Sequence, residues 1–450
     1  MVARGAGPAS DRPVAGSRRS LLVLVFVVVA FGAGSWKARR DRPPATFQPP
    51  TVMVVQGGQD DEPRLRTRFV TTRPDIHTHA ACLVELADGR VRAFWYSGSH
   101  EGALDVEIRS AVFDRARAAW GQERAVVDPA RTQQSIRRYV RKVGNPAAIR
   151  TPDGTLWLFY VTVSVGGWGG SSITAVTSCD DGESWSPAQR LVSAPFLNLG
   201  TMVRGPPFLY ADGTIGLPAY ENLLGAFGEL LRVDGSGAVT DRRRLRGDGF
   251  GLQPVILVRS ATEALALLRN SGPERPHRVI GTTTHDGGRH WTPPIRLPLL
   301  NPDAALSGVV LPDGRILVAL NDVEIERDVL SLVLSEDGGA TWRTVYQLEN
   351  QLAARDQPVD DARYNRTVEA LARASDAAVT DGRPYVESSR RFMCWEPRCH
   401  FEFSYPSLIQ TRRGDFHLVY TWNRSFIKHV QFSQIWLDQR LASLDHAPAD

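Results

Sequence analysis

Short apolar runs joined by tight polar turns recur six times along the chain. In CLVELADGRVRAFWY, which begins at Cys82, an Asp-Gly turn separates two alternating segments. Three further pairs of apolar runs are joined by an Asp-Gly turn, and two more pairs by other tight turns. An Asp-Gly turn between such segments is a strong β-hairpin signal. Where nothing interrupts it, the period is about 50 residues, enough for four short strands and typical of a propeller blade. The pattern therefore predicts an all-β, six-bladed β-propeller with turn centres at Asp88, Asp153, Asp212, about Thr262, Asp313 and Gly414.

A second motif falls between these hairpins and repeats with fixed spacing. In TSCDDGESWS a hydroxyl residue, an aspartate, a glycine and a tryptophan stand at Ser178, Asp180, Gly182 and Trp185. The hydroxyl and the carboxylate can bond the backbone of a turn, and glycine permits its backbone angles. A residue that repeats cannot be a unique catalyst, so the motif is predicted to be structural, with tryptophan packing between blades. Its other copies are at Asp286 and Asp337, with eroded copies near Asp114 and Asp234.

Two steps between turns are longer than the period, which predicts insertions at about 128–143 and 349–400. The first insertion is basic, and the second has a helical pattern near 367–374. Propeller loops commonly carry function. The propeller itself is expected over 67–440.

The N-terminal segment has the composition of an export signal. Arg18 and Arg19 precede an apolar run from Leu21 to Phe31, and further cations follow at 37–40. The run is short for a membrane span, which needs about 20 residues. We expect residues 1–40 to be a signal peptide or an uncleaved signal anchor, with the alternative of a buried core helix, followed by a proline-rich linker at 41–66. The protein is then periplasmic or extracellular, and any membrane contact is made through this segment.

Charge and cysteine content narrow the class further. The 450-residue chain has a net charge of +4, but residues 1–44 carry seven Arg, one Lys and two Asp, or +6, which leaves −2 for the remainder. The remainder gives no reason to expect nucleic-acid binding. Of four cysteines, Cys394 and Cys399 are close enough to pair, whereas Cys82 and Cys179 are expected in apolar packing. No cysteine pair has zinc-ligand spacing, so neither a metal nor a cofactor is expected.

The repeated S/T-x-D-x-G-x-x-W motif in a six-bladed pattern resembles the Asp-box, or BNR, repeat of sialidases (neuraminidases). The similarity covers about residues 70–435 and is closest to a bacterial sialidase-like branch, with shared segments at 100–106, 297–315 and 403–429. The resemblance implies an exo-glycosidase that removes a terminal acidic sugar. Such enzymes hold the sugar carboxylate with three arginines, use a tyrosine nucleophile assisted by a glutamate, and take an aspartate from a mobile loop as the acid.

Several positions match that arrangement and others depart from it. Tyr405, in SYPSL, falls on the family's tyrosine, and Arg269 and Arg327 fall on or near two of its arginines. His79 stands where the first arginine is expected, and Gln253 stands where the glutamate is expected. We therefore expect Tyr405 to be catalytic with help from His79, and Arg269, Arg327 and Gln253 to contact substrate.

The loop corresponding to the family's acid loop reads SHEGALDV. It offers Glu101 and Asp105 as catalytic candidates in place of a clear aspartate, and Glu221 is a further carboxylate that could approach Tyr405. Trp168, in the glycine-rich VGGWGG, is a candidate for stacking on a sugar.

The end of the last blade carries further side chains with two interpretations. Trp422, Arg424 and Lys428 either line the pocket, with Trp422 contacting substrate, or simply close the ring.

Three functions remain open on the sequence. The first is hydrolysis of a terminal, acidic sugar from a glycan. The second is a polysaccharide lyase acting on a uronic acid, with histidine and tyrosine as base and acid and arginine neutralising the carboxylate. The third is a propeller that binds glycan or protein without catalysis, which the replaced arginine and glutamate favour.

Overall fold

The computed structural model describes residues 21–30, 32, 45–50, 62–194, 198–223, 225–245, 250–355, 361–395 and 398–446. The chain divides into two units, Met1–Pro44 and Ala45–Asp450. In the first unit the described residues are helical (α1, residues 21–30, with residue 32). The rest of the predicted signal segment lies outside the described residues. Among the helices described, none has the length and apolarity needed to span a membrane.

The second unit is the six-bladed propeller that the repeats predict. Each blade is an antiparallel sheet whose main path has four strands. The strands of blades 1 to 3 are β2 (His77–Glu85), β3 (Val91–Gly98), β4 (Glu107–Asp114), β5 (Ala119–Trp120) and β6 (Arg124–Val127); β7 (Lys142–Arg150), β8 (Leu156–Val163), β9 (Ser171–Ser178) and β10 (Gln189–Arg190); and β11 (Thr201–Val203), β12 (Phe208–Leu209), β13 (Ile215–Glu221), β14 (Phe227–Val233) and β15 (Val239–Arg244). The strands of blades 4 to 6 are β16 (Gly251–Val258), β17 (Ala264–Asn270), β18 (Arg278–Thr284) and β19 (Ile295–Leu300); β20 (Ser307–Val310), β21 (Ile316–Leu320), β22 (Val329–Ser335) and β23 (Arg343–Asn350); and β26 (Phe403–Gln410), β27 (Phe416–Trp422) and β28 (Phe426–Phe432) with β1 (Leu65–Phe69).

Blade 6 joins the two ends of the propeller. Its outermost strand, β1, pairs antiparallel with β28 from Leu65↔Phe432 to Phe69↔Lys428. Because a sheet edge that finds no partner is a liability, this pairing both completes the blade and closes the ring. The propeller thus begins at Leu65, within the segment 41–66 that the sequence suggests as a linker.

Part of that linker segment is also packed. Phe47 is buried, with its ring 5.5 Å from Phe208 and 5.4 Å from Tyr210 of blade 3. Burying such an aromatic side chain stabilises the fold by about 1.5–3 kcal/mol. Residues 45–50 are therefore anchored to the propeller.

Both predicted kinds of turn lie where the repeats place them. The six hairpin turns join the first two strands of each blade, and the three clear Asp boxes join the last two. In the first box, Ser178 Oγ accepts the Gly182 amide at 2.8 Å and donates to Asp180 at 2.7 Å, while Asp180 accepts the Ser184 amide at 2.9 Å. Trp185 packs on Phe94 of the neighbouring blade, with ring centroids 5.8 Å apart. The motif is structural, as predicted.

The two insertions are helical. The first holds α2 (Pro129–Ile136), whose N-terminus is capped by Asp128 accepting the Arg131 amide, with proline in the first turn. The second holds α3 (Leu352–Arg355), α4 (Asp361–Ser375) and α5 (Arg383–Met393). Helix α6 (Gln434–Asp445) follows the last blade and extends beyond the predicted boundary at 440.

The second insertion is fixed to the propeller by apolar packing and by a disulfide. Tyr364, Val368 and Ala372 of α4 belong to the core cluster of blades 5 and 6. Cys394 and Cys399 are bonded across the short hairpin β24 (Cys394–Trp395) and β25 (Arg398–Cys399). Cys82 is buried as expected, whereas Cys179 is exposed on its Asp-box turn, so the expectation of apolar packing was wrong for Cys179.

Candidate active site

The innermost strands of the blades share a local irregularity at one end. The register of β2, β7, β16 and β26 shifts at a β-bulge, and in each bulge one residue has a positive φ. A bulge re-aims side chains and commonly lies beside active sites. A positive φ in a non-glycine residue is a local strain that the surrounding structure must maintain. The four residues are Ala80 (53°), Asn145 (44°), Gln253 (50°) and Tyr405 (55°).

Tyr405 lies at the centre of the residues that these bulges bring together. Its backbone carbonyl accepts a hydrogen bond from Arg204 Nη2 at 2.8 Å, and the Arg204 guanidinium lies 5.2 Å from its ring centroid. Arg269 Nη1 lies 3.3 Å from the phenol oxygen, and the Arg327 guanidinium lies 5.7 Å from the ring centroid. Three cations therefore surround one partly buried phenol.

These cations change the acidity of the phenol. Burial by itself opposes ionisation of Tyr405, but the charges of Arg269 and Arg327 and a hydrogen bond from Gln253 outweigh it, so the pKa lies below the ordinary tyrosine value. Gln253 also accepts from Arg269 Nη1 at 3.2 Å and donates to the Tyr220 hydroxyl at 3.4 Å. The glutamine thus stabilises the phenolate without being able to remove the proton.

A fourth arginine reaches the site from the turn between β27 and β28. Arg424, at a positive φ of 52°, donates from Nε to Glu402 at 2.6 Å. Arg327 donates to the other oxygen of the same carboxylate at 3.3 Å, and Ser404 Oγ donates there at 2.6 Å. Glu402 therefore holds two guanidinium groups from different blades in fixed positions.

Glu402 is almost fully buried and must be ionised to hold them. Burial alone raises the pKa of its carboxyl, but Arg327, Arg424 and the other polar neighbours lower it to about 2. Asp303 has a similar role for Arg269, since it accepts a hydrogen bond from Arg269 Nε at 2.5 Å. The four arginines, counting Arg204, against two carboxylates leave two positive charges, which suit an anionic ligand.

Histidines form the wall opposite the arginines. The His79 ring lies 4.3 Å from that of Tyr405 and 5.6 Å from that of Tyr96, and His77 lies 5.8 Å from His79. Burial lowers the pKa of His79 well below 6.5 and that of His77 to about 4, so both are neutral at pH 7. The position of an expected arginine is thus occupied by a neutral ring packed on the tyrosine.

The rim of the site carries Glu101 and Trp168. A Cβ on Gly144 would meet Trp168 at 3.4 Å and Tyr96 at 3.8 Å, which places Trp168 beside the site wall. Lys142 Nζ lies 3.7 Å from the Trp168 ring centroid. Burial raises the pKa of Tyr96 well above 10, and the exposed carboxylate of Glu101 adds to this effect, so Glu101 lies near the wall.

Two other candidates, both carboxylates, have partners of their own. Asp105 caps its own turn by accepting the Ser99 amide at 3.0 Å and hydroxyl at 2.9 Å. Glu221 accepts the Asn222 and Leu223 amides and forms an ion pair with Arg242 at 3.8 Å. Through these contacts both carboxylates stabilise local structure.

Trp422 does not line the site. Its side chain has no exposed surface and packs in the core, 5.4 Å from the ring of Phe69 in an edge-on arrangement. Lys428 is also buried and pairs with Glu349 at 2.5 Å. The prediction that Trp422 contacts substrate was wrong, because both faces of β27 are buried. Trp422 and Lys428 help to close the ring, and Arg424 alone of that group joins the site.

Sequence reasoning missed Glu402, Arg204 and Asp303, together with Tyr96 and Tyr220 on the walls. Glu402 stands only three residues before Tyr405, in FEFSY, so its closeness to the tyrosine in the sequence was a usable signal. No cluster of three or more His, Cys, Asp or Glu residues suited to a metal ion occurs in the described ranges.

The family can now be stated. Residues 89–418 match the model of the BNR repeat-like domain, so the chain belongs to that family. The search of curated proteins found no match.

Solved sialidases share the fold. The Hadza microbial sialidase Hz136 is 15% identical with a TM-score of 0.58, covering 80% of this chain and 66% of its own. The Trypanosoma rangeli sialidase is 12% identical with a TM-score of 0.56, covering 90% of this chain and 62% of its own. This chain therefore spans less than two thirds of either relative.

Two further relatives are covered almost completely. The intramolecular trans-sialidase from Ruminococcus gnavus is 13% identical with a TM-score of 0.54, over 80% of this chain and 95% of that one. A protein of unknown function from Dyadobacter fermentans is 12% identical with a TM-score of 0.55, over 82% and 99%. At these identities the likeness establishes the fold, and the chemistry must be argued from the site.

Proposed function

We propose that the protein is an exo-glycosidase that hydrolyses a terminal acidic sugar from a glycan, with Tyr405 as the nucleophile. The observation that carries the proposal is the partly buried phenol of Tyr405, 3.3 Å from the guanidinium of Arg269 and beneath that of Arg327. A phenol that titrates near pH 10 is a weak nucleophile unless its ionised form is stabilised. Here cations and the Gln253 amide supply that stabilisation, so no glutamate base is required.

Substrate binding in this proposal uses the arginines that the carboxylates hold in place. Arg269, Arg327 and Arg424 present planar forks that match a sugar carboxylate. Because Asp303 and Glu402 fix these forks before substrate arrives, little side-chain entropy is lost on binding. The residual positive charge of the cluster favours an acidic sugar over a neutral one.

The reaction then takes two displacements. The phenolate oxygen of Tyr405 bonds to the anomeric carbon while the glycosidic bond breaks, and Glu101 on the rim gives its proton to the departing oxygen. Water, deprotonated by Glu101, next attacks the same carbon and the bond to Tyr405 breaks, which restores the phenolate. Two inversions at one carbon give net retention.

Product release from a panel of sialosides and uronic-acid glycans tests the proposal. We expect free acidic sugar from the native chain and a loss of at least a thousandfold in kcat for Tyr405→Phe. Tyr210→Phe is the control for loss of a tyrosine hydroxyl, since Tyr210 lies in the cluster around Phe47. Full turnover by Tyr405→Phe would reject the nucleophile, and silence of the native chain over the whole panel would favour a binding module.

A polysaccharide lyase is the second candidate, and one observation favours it. The neutral His79 ring packs 4.3 Å from Tyr405, so the two could act as base and acid on a uronic acid whose carboxylate the arginines neutralise. The His79 base would take the proton beside the carboxylate, and Tyr405 would protonate the leaving oxygen. An unsaturated product that absorbs ultraviolet light would establish this reaction and exclude hydrolysis.

We further propose that the protein is exported. The signal-like segment 1–40 and the Cys394–Cys399 disulfide support this, since disulfides persist in oxidising compartments. Cell fractionation with and without residues 1–40 tests it, and full-length protein recovered only from the cytosol would contradict it.

A further inference from the structure

A large basic cleft lies on the outer wall of the propeller, away from the bulges that form the active site. Its volume is about 1020 Å³, at the upper end of the roughly 300–1,000 Å³ of ligand pockets. The walls come from β1 and the segment after it, from blade 1 around Trp120, and from the end of α4 around Asp376. Four arginines line it: Arg66, Arg68, Arg73 and Arg109.

The charge of the cleft is not balanced by its own carboxylates. Asp376 accepts the amides of Phe69 at 3.0 Å and Ala378 at 2.9 Å, and Glu123 accepts the Thr72 amide at 3.1 Å. Glu107, beside the cleft, also pairs with Arg109, so four cations against three anions leave a charge of +1.

The two exposed arginines carry that excess. Arg109 pairs with Glu123 at 3.2 Å, whereas Arg66 and Arg73 are exposed and form no ion pair within the described part of the chain. The positive charge of Arg66 also lowers the pKa of the buried Arg68, after the larger effect of burial. The carboxylate of Asp376 opposes that effect, as an anion bound in the cleft would.

The cleft also has an aromatic surface. Trp120 is partly exposed and is held in place by Phe113, 5.4 Å away, and by a hydrogen bond from its indole nitrogen to His429 Nδ1 at 3.2 Å. A fixed tryptophan face suits the apolar face of a sugar ring, and guanidinium forks suit carboxylates.

We propose that this cleft is an accessory site for an acidic oligosaccharide. Residues 45–450 carry a net charge of −2, because the chain carries +4 and residues 1–44 carry +6. A long polyanion such as DNA would extend beyond the cleft and be repelled by the net negative charge of the propeller. A short acidic glycan contacts only the cleft. The cleft binds its ligand whether or not the active site performs the proposed reaction.

The cleft is also close to the active site along the chain. Arg73 on its wall and His77 of the active site are four positions apart in the chain, so their Cα atoms lie within about 14 Å of each other. If the proposed function holds, one acidic glycan could occupy both sites, and the cleft would raise the local concentration of chain ends at Tyr405. Turnover of a polymer would then respond to cleft mutations, and turnover of a single-sugar aryl glycoside would not.

Calorimetry on the full chain carrying Arg269→Ala and Arg327→Ala measures binding at the cleft alone, because those changes disable the proposed carboxylate binding in the active site. The probes are an oligosialic acid and an oligogalacturonate of about six sugars. We expect one of them to bind, and Arg66→Glu with Arg73→Glu to weaken it at least tenfold. Arg413→Glu, an exposed arginine on the β26–β27 turn, is the matched control and should change affinity less than twofold.

Three outcomes would overturn the proposal. They are no binding of either probe, equal binding after the Arg66 and Arg73 changes, or tighter binding of duplex DNA or of phosphatidylserine vesicles at the same salt concentration. If charge reversal prevents folding, Arg66→Gln with Arg73→Gln provides the same comparison. Failure of the proposed hydrolysis with retained cleft binding would reject the enzyme and leave this site standing.

Discussion

The two ends of the propeller blades both carry polar side chains in tight backbone turns, but they differ in kind. The Asp boxes repeat one set of residues, and each set satisfies its own hydrogen bonds, as Ser178, Asp180 and Gly182 do. At the opposite end of the blades, each blade contributes a different residue, and those residues bond across blades, as Arg269 does with Tyr405. The repeated residues therefore stabilise the fold, whereas the residues that occur once and bond across blades form the candidate active site.

The strongest test compares two buried carboxylates, one that holds arginines of the candidate site and one that bonds groups closing the ring. Glu402→Gln should cost about 3–5 kcal/mol of unfolding free energy, because Arg327 and Arg424 lose their shared counter-charge. It should also lower kcat/KM at least tenfold, since both arginines are expected to bind substrate. Denaturant unfolding and product release per folded molecule measure the two effects.

Glu349→Gln is the matched control for that test. Glu349 is buried as deeply and pairs with Lys428 at 2.5 Å and with the Tyr420 hydroxyl at 2.7 Å, among groups that close the ring. Its loss should destabilise by a similar amount and leave turnover of the folded protein intact. Equal losses of turnover in both variants would remove the distinction between the regions.

Lowering the pH should affect stability through the histidines at one end of the blades and not through those at the other. The unfolded chain protonates His77 near pH 6.5, whereas burial in the folded protein lowers the pKa to about 4. The unfolded state then binds more protons, so stability is full above pH 6.5 and falls by about 3 kcal/mol as the pH drops towards 4. His77→Phe should reduce this loss, and unfolding curves at pH 7 and pH 4.5 measure it.

The control for the acid test is His290→Gln, at an exposed histidine of an Asp box that lies 2.6 Å from Asp286. It should leave the difference between the two pH values within about 0.5 kcal/mol of the native one. A His77→Phe variant with an unchanged pH dependence would show that another group controls acid unfolding.

A backbone change tests the Asp boxes directly. Gly182 has a φ of 95°, and an added Cβ would lie 3.0 Å from the Arg92 guanidinium and 3.1 Å from Trp185. Gly182→Ala should therefore cost about 1–3 kcal/mol of stability, with kcat/KM of the folded protein unchanged. Thermal unfolding and substrate turnover at a temperature well below the transition check both halves. A loss of turnover without a loss of stability would place chemistry at the repeated turns.

The smallest expected effect is at the rim. Trp168→Ala removes an aromatic face beside Gly144 and the partner of Lys142. We expect KM to rise about three- to tenfold with kcat nearly unchanged, because a stacking contact contributes about 0.5–1.5 kcal/mol. Trp168→Phe should recover most of the affinity. A fall in kcat alone would mean that Trp168 acts on the reacting bond.

The sequence predicts the fold well because the blades repeat. Each Asp-Gly turn and each Asp box is a local signal, and six copies set the strand count without knowledge of distant contacts. Residues of the site were harder to find, since they depend on contacts between blades. Tyr405, Arg269, Gln253 and His79 were reached through resemblance, and the structure brings these four together.

The remaining misses have physical causes. Trp422 ends a strand that is buried on both faces, so its position along the chain gives no sign of which way it points. Glu402 was overlooked because its role depends on Arg327, 75 residues earlier, and on Arg424, 22 residues later. Arg204 follows a three-residue strand and precedes Gly-Pro-Pro, where the alternating pattern breaks down.

The central claim is that the phenol of Tyr405 is the nucleophile at the one end of the propeller where residues do not repeat. Mass spectrometry of the full chain, quenched after reaction with a fluorinated acidic sugar carrying a good leaving group, tests it most directly. Fluorine slows breakdown of the intermediate, so a covalent adduct should accumulate on the peptide that contains Tyr405 and be absent from Tyr405→Phe. An adduct on another side chain, or substrate consumption by the Tyr405→Phe variant at the native rate, would contradict the account.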